Sequence, residues 1–178
     1  MPKTYQFRVA SMKDIDELYE VMQSTRYIEV FHGGKPRKVV ISELEKELFD
    51  PGKDITVIVC EINDDTSPRG KRVVGYSIFG PYSKHKKPGF PEEEGKYAYS
   101  FGTGVHKDFQ RKGVGTQIRN KTDEIAKEKG FEGMYTDVAS TNHASLRVQG
   151  KAGFTKIAEI DDPRRAEGVK SVIFKKEF

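Results

Sequence analysis

The run Gln-Arg-Lys-Gly-Val-Gly at residues 110–115 has the residue types and spacing of a phosphate-binding loop. Glycine adopts backbone conformations that other residues avoid, and two glycines this close let the main chain approach a ligand. A helix that begins directly after such a run presents amide N–H groups that have no partner inside the helix and that bind anions. The run therefore predicts an anion site. The alternative is that Gly113 and Gly115 only permit a tight turn from a strand into a helix.

A second segment with possible chemistry begins at Asn142, about 30 residues further along the chain. Asparagine is favoured at the start of a helix, because its side-chain oxygen accepts a hydrogen bond from a backbone amide of the first turn. A short helix should follow and reach Ala152, after which Gly153 turns the chain. Asn142 can cap this helix, contact a ligand, or do both.

The strands that must position these segments are runs rich in β-branched and aromatic residues. The pattern predicts strands at residues 5–9, 55–62, 73–79, 97–105, 133–139, 154–160 and 169–175. The polar connection between the second and third runs is typical of a hairpin. The strand at 97–105, the glycine run, a helix and the strand at 133–139 form a βαβ unit, whose two strands should be parallel with a right-handed crossover.

Three further helices are expected. Ser11, with Asp14 three residues later, forms a capping-box pattern that begins the first helix. A second, shorter helix is predicted to begin near Ser42, with Glu45 as its capping partner, and to end near Phe49. The third follows the glycine run and has one face that consists of Val114, Ile118, Thr122 and Ile125.

Composition and charge limit the kind of protein. The chain has 178 residues, a length that suits one domain over residues 1–178. Its net charge of +4 suits an anionic small ligand as well as a nucleic acid. No run of five or more Lys or Arg occurs and no zinc-type spacing of Cys and His, so neither a nucleic-acid partner nor a metal is expected. The single cysteine, Cys60, lies in an apolar run and is predicted to be a buried structural thiol. Without an apolar segment of membrane-spanning length or an N-terminal targeting pattern, the protein is expected to be cytoplasmic and to have no membrane partner.

Taken together, the two segments resemble the GNAT superfamily of acyl-CoA-dependent N-acyltransferases. The glycine run matches the pattern Q-x-x-G-x-G, and the residues from Asn142 to Phe154 match N-x-x-[AS]-[IL]-x-[LV]-x-x-K-x-G-F. The order of elements agrees over residues 5–175. Either motif alone is a weak signal, whereas both in this order make a specific one.

The resemblance implies an α/β fold with a mixed central sheet of about seven strands and helices on both faces. A splayed pair of parallel strands would admit the pantetheine arm of CoA. The implied reaction moves an acetyl group from acetyl-CoA directly to an amine, with no covalent enzyme intermediate and no metal. A protein of this family can also pair into a homodimer.

Site residues follow from the same resemblance. The backbone N–H near Val105 would polarise the thioester carbonyl and stabilise the oxyanion that forms when an amine attacks. The residues implied in binding acetyl-CoA are Gly104, Val105, Gln110, Arg111, Lys112, Gly113, Val114, Gly115, Thr116, Asn142, Ser145 and Lys151. The side chains of Arg111 and Lys112 are either phosphate contacts or a solvated basic turn.

The sequence departs from the family in two places that concern proton transfer. Family members carry a tyrosine seven residues after the asparagine, where it protonates the leaving thiolate, and this chain has Gln149. Glutamine supplies no proton, so the acid would be solvent, a hydroxyl such as that of Ser145, or absent, and the reaction slower. Some members also place a glutamate in the strand at 97–105, whereas the alternate positions here are Tyr97, Tyr99 and Phe101.

A general base must therefore come from elsewhere. Candidates that act through water are Glu29, His32, Glu92, Glu93 and Glu94. His106 and His143 fall near the expected CoA, but we expect both to be polar surface residues. Residues 81–96, with three prolines and three consecutive glutamates, are either a loop on the acceptor side or a disordered surface loop.

The acceptor stays open in the sequence. A small amine is expected, and glutamates near the site would favour a cationic one. The alternatives are the N-terminus or a lysine of a protein. A different class of function is an acyl-CoA-binding or regulatory domain with little or no catalysis, which the glutamine at position 149 suggests.

Overall fold

A computed structural model of the protein describes residues 4–178. The prediction that the N-terminus has no targeting pattern includes residues 1–3, which lie outside the described residues. Within residues 4–178 the helices and strands are, in order, β1 (Gln6–Val9), α1 (Ile15–Ser24), α2 (Tyr27–His32), α3 (Arg37–Leu48), β2 (Thr56–Asn63), β3 (Lys71–Pro81), α4 (Tyr82–His85), β4 (Tyr97–Val105), α5 (Val114–Glu128), β5 (Gly133–Ala139), α6 (His143–Lys151), β6 (Thr155–Asp161) and β7 (Lys170–Glu177). None of the helices in this range is long and apolar enough to cross a membrane.

The strands form a sheet in the order β1-β2-β3-β4-β5-β7-β6. The pairs β1/β2, β2/β3, β5/β7 and β6/β7 are antiparallel, and β4/β5 is parallel. The predicted α/β fold with a mixed sheet of seven strands is therefore confirmed, together with the hairpin and the parallel pair of the βαβ unit.

The helices before β2 differ from the prediction. The capping pattern at Ser11 is present, since the Ser11 amide donates to the Asp14 carboxylate at 2.8 Å. However, three helices rather than two precede β2, and Ser42 lies inside α3, not at its start. The apolar face of α3 sets its length. That face is buried and repeats every four residues from a point before Ser42: Val40, Leu44 and Leu48.

Two compact units share the chain. The first comprises Met1–Phe79 and Gly102–Thr122, and the second comprises Gly80–Phe101 and Asp123–Phe178. Both β4 and α5 contribute residues to each unit. The prediction of a single domain over residues 1–178 stays a prediction.

The core of the first unit anchors the beginning of α5. Its buried side chains are Cys60, Ile62, Val74, Phe109, Val114 and Ile118. Cys60 is buried, as predicted, and burial raises the pKa of its thiol to about 12, so it is held in the neutral form. These side chains hold β2 and β3 against the residues on either side of the glycine run.

The core of the second unit is largely aromatic. It consists of Tyr82, Phe90, Tyr97, Tyr99, Tyr135 and Ile173. Tyr82 and Phe90 come from the connection at 81–96, and the Tyr82 hydroxyl donates to the Pro91 carbonyl at 2.7 Å. This connection is therefore packed against the unit, and the interpretation as a disordered surface loop is wrong.

The parallel pairing of β4 with β5 is short. It runs from Tyr97 opposite Gly133 to Tyr99 opposite Tyr135, although both strands continue beyond that point. At the next position the Thr136 hydroxyl, not a backbone amide, donates to the Ser100 carbonyl at 3.2 Å. The two strands thus leave their backbone ladder after three residue pairs, as expected of the predicted splayed pair.

Candidate active site

The glycine loop, which we define as residues 110–116, is fixed at its start by the core of the first unit. Phe109 is buried there and ends a 3-10 turn that follows β4 (Lys107–Phe109). The side chain of Gln110 folds back and its amide donates to the Val105 carbonyl at 3.0 Å. Arg111 and Gly113 then both adopt the left-handed backbone conformation, with φ of 60° and 75°. The chain turns sharply at these two residues and enters α5.

The beginning of α5 can bind an anion. The Gln117 amide donates to the Gly113 carbonyl at 3.1 Å, which is the bond that closes the first turn. The three amides before it, those of Val114, Gly115 and Thr116, belong to the first turn, where the helix offers no acceptor. The partial positive charge of a helix N-terminus adds to their attraction for phosphate.

The two glycines of the loop have different local demands. Gly113 needs its left-handed φ, so the turn alone accounts for it. A side chain at Gly115 would meet only the Val105 methyl carbon, at an ordinary 3.7 Å, so packing does not require glycine there. A Cβ on Gly113 would meet nothing within 4 Å. A tight turn therefore explains why residue 113 is glycine but not why residue 115 is. The close approach of a ligand would explain both glycines.

The glycine loop has two basic side chains, those of Arg111 and Lys112. The Lys112 ammonium donates to the Asp108 carbonyl at 2.8 Å and lies 5.5 Å from the centre of the Phe109 ring. Arg111 is exposed. Both bring positive charge to the loop.

Gly104 has a reason to be glycine that involves no ligand. A Cβ at this position would lie 2.4 Å from the Tyr76 ring of the neighbouring strand. Tyr76 is buried, and burial raises the pKa of its hydroxyl. The close approach of β3 therefore dictates this glycine. Val105, one residue on, is partly buried against the core of the first unit.

His106 is not the surface residue that we predicted. Its side chain is buried, its Nδ1 accepts from the Asp108 amide at 3.3 Å, and its Nε2 lies 3.4 Å from an Arg72 nitrogen. Burial and the charge of Arg72 lower the pKa of this imidazole, so that it stays neutral near pH 7. The ring caps the start of the 3-10 turn, a role that the sequence pattern did not indicate. His143 is exposed, as predicted.

The second motif lies in the second unit and builds α6. The Asn142 side-chain oxygen accepts from the Ser145 amide at 3.1 Å, so the predicted cap is present. Ser145 is partly buried and Lys151 is exposed. Gln149 is only 7% exposed, and its side-chain oxygen has no hydrogen-bond partner among the described residues. A buried acceptor of this kind is uncommon, because it has lost water without a replacement.

The predicted site residues thus form two groups. Gly104, Val105 and the glycine loop belong to the first unit, whereas Asn142, Ser145, Gln149 and Lys151 belong to the second. Within residues 4–178 no group of three or more His, Cys, Asp or Glu side chains is placed to hold a metal ion.

Most of the proposed base candidates are engaged in ion pairs. Glu29 pairs with Arg26 at 2.9 Å, and Glu92 pairs with Lys86. Glu93 accepts from Lys175 and Tyr135, and these bonds lower its pKa to about 2. A carboxylate with so low a pKa is a poor base near pH 7.

His32 and Glu94, the other two candidates, differ from these. His32 is buried in the first unit with its Nδ1 2.9 Å from Glu43. Glu94 is exposed. Neither arrangement identifies a base.

A carboxylate that the sequence pattern did not indicate lies beside β4. The alternate positions of β4 carry no acid, but Asp137 of β5 accepts a hydrogen bond from the Tyr99 hydroxyl. The Asp137 side chain is only 6% exposed. Burial and the charge of Asp137 raise the pKa of Tyr99, so this hydroxyl stays protonated. A charged residue within an otherwise apolar strand at 133–139 was the signal that could have identified it.

Asp137 is the centre of a network of charged side chains in the second unit. Arg165 donates to Asp137 at 2.8 Å, and the Ser171 hydroxyl lies 3.1 Å from Asp137 and 2.6 Å from Asp162. Arg164 donates to both oxygens of Asp162. We call these residues the Asp137 cluster: Tyr99, Asp137, Asp162, Arg164, Arg165 and Ser171.

Fold and loop together define an α/β protein in which a glycine turn and the start of a helix follow one strand of a separating parallel pair. The chain belongs to the acetyltransferase (GNAT) family, whose family model matches residues 15–154. The resemblance seen in the sequence is therefore confirmed. No curated protein matches the chain.

Solved structures share the fold at low sequence identity. A protein of the GNAT family from Desulfovibrio desulfuricans is 20% identical, with a TM-score of 0.70 over 98% of this chain and 99% of its own. YncA from Salmonella typhimurium, solved with its cofactor acetyl-CoA, is 20% identical, with a TM-score of 0.64 over 97% of this chain and 93% of its own. NAA60 from Arabidopsis thaliana, in complex with acetyl-CoA, is 14% identical, with a TM-score of 0.69 over 98% and 99%.

Proposed function

We propose that this protein is an N-acetyltransferase that moves an acetyl group from acetyl-CoA directly to an amine, and that the amine is a small molecule. The glycine loop is the observation that carries the proposal. Its open side at Gly113, a glycine at position 115 that packing does not require, and the first-turn amides of α5 suit a pyrophosphate. Acetyl-CoA supplies the activated thioester.

The chain's own groups have distinct roles in this proposal. The amides from Val114 to Thr116 bind the pyrophosphate, and Arg111 and Lys112 add positive charge beside it. Asn142, Ser145 and Lys151 are proposed to contact the rest of the CoA molecule. The cap at Asn142 leaves room for this role, because its oxygen can accept a second hydrogen bond.

Two further groups would act on the reacting atoms. The Val105 backbone N–H donates to the thioester oxygen and stabilises the negative charge that grows there as the amine attacks. Gln149 matches in sequence the position of the family's acid, seven residues after Asn142, and its amide N–H would donate to the departing sulfur without giving up a proton. The attacking nitrogen gives up one proton to water as the adduct collapses to the amide, the carbon–sulfur bond breaks, and the departing thiolate takes a proton from solvent.

Thiol release tests the function directly. The protein is incubated with acetyl-CoA and a panel of small amines, amino acids and short peptides, and free CoA thiol and the acetylated product are both measured. We expect amine-dependent release and a product heavier by one acetyl group. Acetylation of peptides alone would overturn the small-molecule part, and no release with any amine would overturn the enzyme assignment.

A second candidate, a CoA-binding domain with little catalysis, is favoured by Gln149. A Gln149→Tyr variant supplies the missing hydroxyl, and Gln149→Phe is its matched control. Since general acids typically contribute about 10²- to 10⁴-fold, Gln149→Tyr should raise kcat by at least about 10-fold over Gln149→Phe. Tight CoA binding by all three proteins without turnover in any of them would support the second candidate.

A further inference from the structure

Lys87 is a cation without a counter-ion. It is partly buried in the second unit, and its ammonium lies 5.5 Å from the centre of the Tyr99 ring. Among the described residues no hydrogen bond or ion pair reaches the Lys87 ammonium, although the Lys87 carbonyl accepts from the Phe90 amide at 3.0 Å. Its neighbour Lys86, in contrast, is paired with Glu92. The difference matters because a partly buried charge without a partner is costly unless a ligand compensates for it.

The surroundings of Lys87 carry an excess of positive charge. The groups that act on it electrostatically are Arg164, Arg165, Asp137 and Asp162. Both carboxylates are already taken by the two arginines and Ser171. Three cations therefore face two carboxylates, and Lys87 is the cation left over. Burial first, and then the charge of Arg164, lower the pKa of Lys87 below its ordinary value.

The position of the Lys87 charge in the sheet connects it to the proposed acetyl transfer. Tyr99 is the last β4 residue paired with β5, and Asp137 lies two residues beyond the last paired residue of β5. In α/β proteins ligands bind where neighbouring parallel strands part at their carboxyl ends. The excess charge thus stands at the place where an acceptor would enter this part of the sheet.

We propose that Lys87, beside Arg164 and Arg165, binds an oxyanion of the acceptor, so that the acceptor is an amine that also carries a carboxylate or a phosphonate. This inference rests on the proposed acetyltransferase function. It also replaces the expectation of a purely cationic amine, because three of the glutamates behind that expectation, Glu29, Glu92 and Glu93, are paired with cations. Arg164 and Arg165 are held by their carboxylates, and Lys87 supplies the free charge.

Matched acceptor pairs test the proposal. L-phenylalanine is compared with 2-phenylethylamine, which lacks the carboxylate, and 2-aminoethylphosphonate with propylamine, which lacks the phosphonate. In each pair kcat/KM should favour the anionic amine, and the pair with the larger preference identifies the oxyanion. A charge-assisted contact of this kind corresponds to about a 10- to 100-fold preference.

Variants locate the preference. Lys87→Gln should lower the ratio of kcat/KM values within a pair by about 10- to 100-fold, and Lys87→Arg should restore most of it. Lys86→Gln removes a cation from the same connection and should leave the ratio unchanged. CoA affinity is measured for every variant, and an affinity equal to that of the unaltered protein shows that the fold is intact.

The outcomes separate this inference from the function on which it rests. Equal kcat/KM values within both pairs, or a ratio that Lys87→Gln leaves unchanged, overturn the oxyanion site while the acetyltransferase stands. If no amine is acetylated, the enzyme assignment falls, and calorimetric titration of the same four compounds into the CoA-bound protein decides the site. Binding of the anionic compounds that Lys87→Gln weakens supports it, and equal binding of all four overturns it.

Discussion

The glycine loop of the first unit and the Asp137 cluster of the second are built in opposite ways. The loop is made of backbone: its amides and its open glycine positions carry the proposed function, and its side chains are mostly exposed. The cluster is made of side chains that fix one another through charged hydrogen bonds. A backbone site depends on conformation at a few adjacent residues, whereas a side-chain site depends on partners that the fold brings together.

This difference predicts how each region fails. A substitution at a loop glycine should weaken binding while the protein stays folded, because a side chain added at Gly113 or Gly115 meets little of the protein itself. A substitution in the cluster should lower stability, because each deletion leaves buried charges without partners. The following variants test this contrast.

The largest effect is expected from Gly113→Val. A β-branched residue resists a φ of 75° and places methyl groups on the open side of the loop. CoA affinity should fall by about 100-fold or more, equivalent to about 2.7 kcal/mol, in a calorimetric titration. The free energy of unfolding should fall by only about 1–2 kcal/mol.

Gly70→Val is the matched control for this variant. Gly70 also has a positive φ, of 66°, and open space around it, but it lies between β2 and β3. It should lose similar stability and keep its CoA affinity. Equal loss of affinity in both variants would mean that backbone strain alone, and not the loop, controls binding.

In the cluster, Asp137→Ala should act mainly on stability. It removes the acceptor of the buried Tyr99 hydroxyl and of the partly exposed Arg165 guanidinium. The free energy of unfolding in urea should fall by about 3 kcal/mol. Asp161→Ala is the control, because its side chain is 95% exposed and should change stability by less than about 0.5 kcal/mol. A small effect for both would show that the network is not stabilising.

Unfolding at acid pH tests a further set of charged side-chain bonds in the second unit, those of Glu93. Hydrogen bonds from Lys175 and Tyr135 depress the pKa of Glu93 from 4.5 to about 2. The resulting stability is therefore present above about pH 4.5 and is lost as the pH falls toward 2. In Glu93→Gln the free energy of unfolding should fall by about 1–2 kcal/mol at pH 7, and part of the decline between pH 4.5 and pH 2 should disappear.

Glu94→Gln serves as the control for the acid prediction, since Glu94 is the exposed neighbour in the same connection. Its urea unfolding curve should match that of the unaltered protein from pH 2 to pH 7. An identical pH dependence for Glu93→Gln and the unaltered protein would contradict the role assigned to the Glu93 bonds.

Features built from residues close together in the chain could be predicted from the sequence, and features built from distant residues could not. The turn at the glycine loop, the cap at Asn142 and the positions of the seven strands along the chain were predicted because each depends on residues close together in the chain. Their local signals agree with the final fold. The predicted start of α3 was wrong because the local capping pattern at Ser42 competed with a longer apolar face that begins before it.

The Asp137 cluster and Lys87 could not be found in this way. Their residues come from positions 87, 99, 137, 162, 164, 165 and 171, which only the sheet brings together. No spacing rule connects residues on different strands and connections. Likewise, the burial of His106 follows from the turn it begins, and the packing role of Gly104 follows from Tyr76 on a neighbouring strand.

The smallest effect should come from Arg111, where the two contributions to the loop can be separated. Arg111 has a φ of 60°, which costs a residue with a Cβ about 1 kcal/mol relative to glycine. Arg111→Gly relieves this cost and removes a charge, whereas Arg111→Ala removes the charge and keeps the strained φ. Arg111→Gly should therefore unfold at higher urea concentration than Arg111→Ala. Because an exposed charge contributes little, both should bind CoA within about 3-fold of each other and of the unaltered protein. A larger, shared loss of affinity would mean that the Arg111 guanidinium contacts the phosphates, and the loop would then bind through side chains as well as backbone.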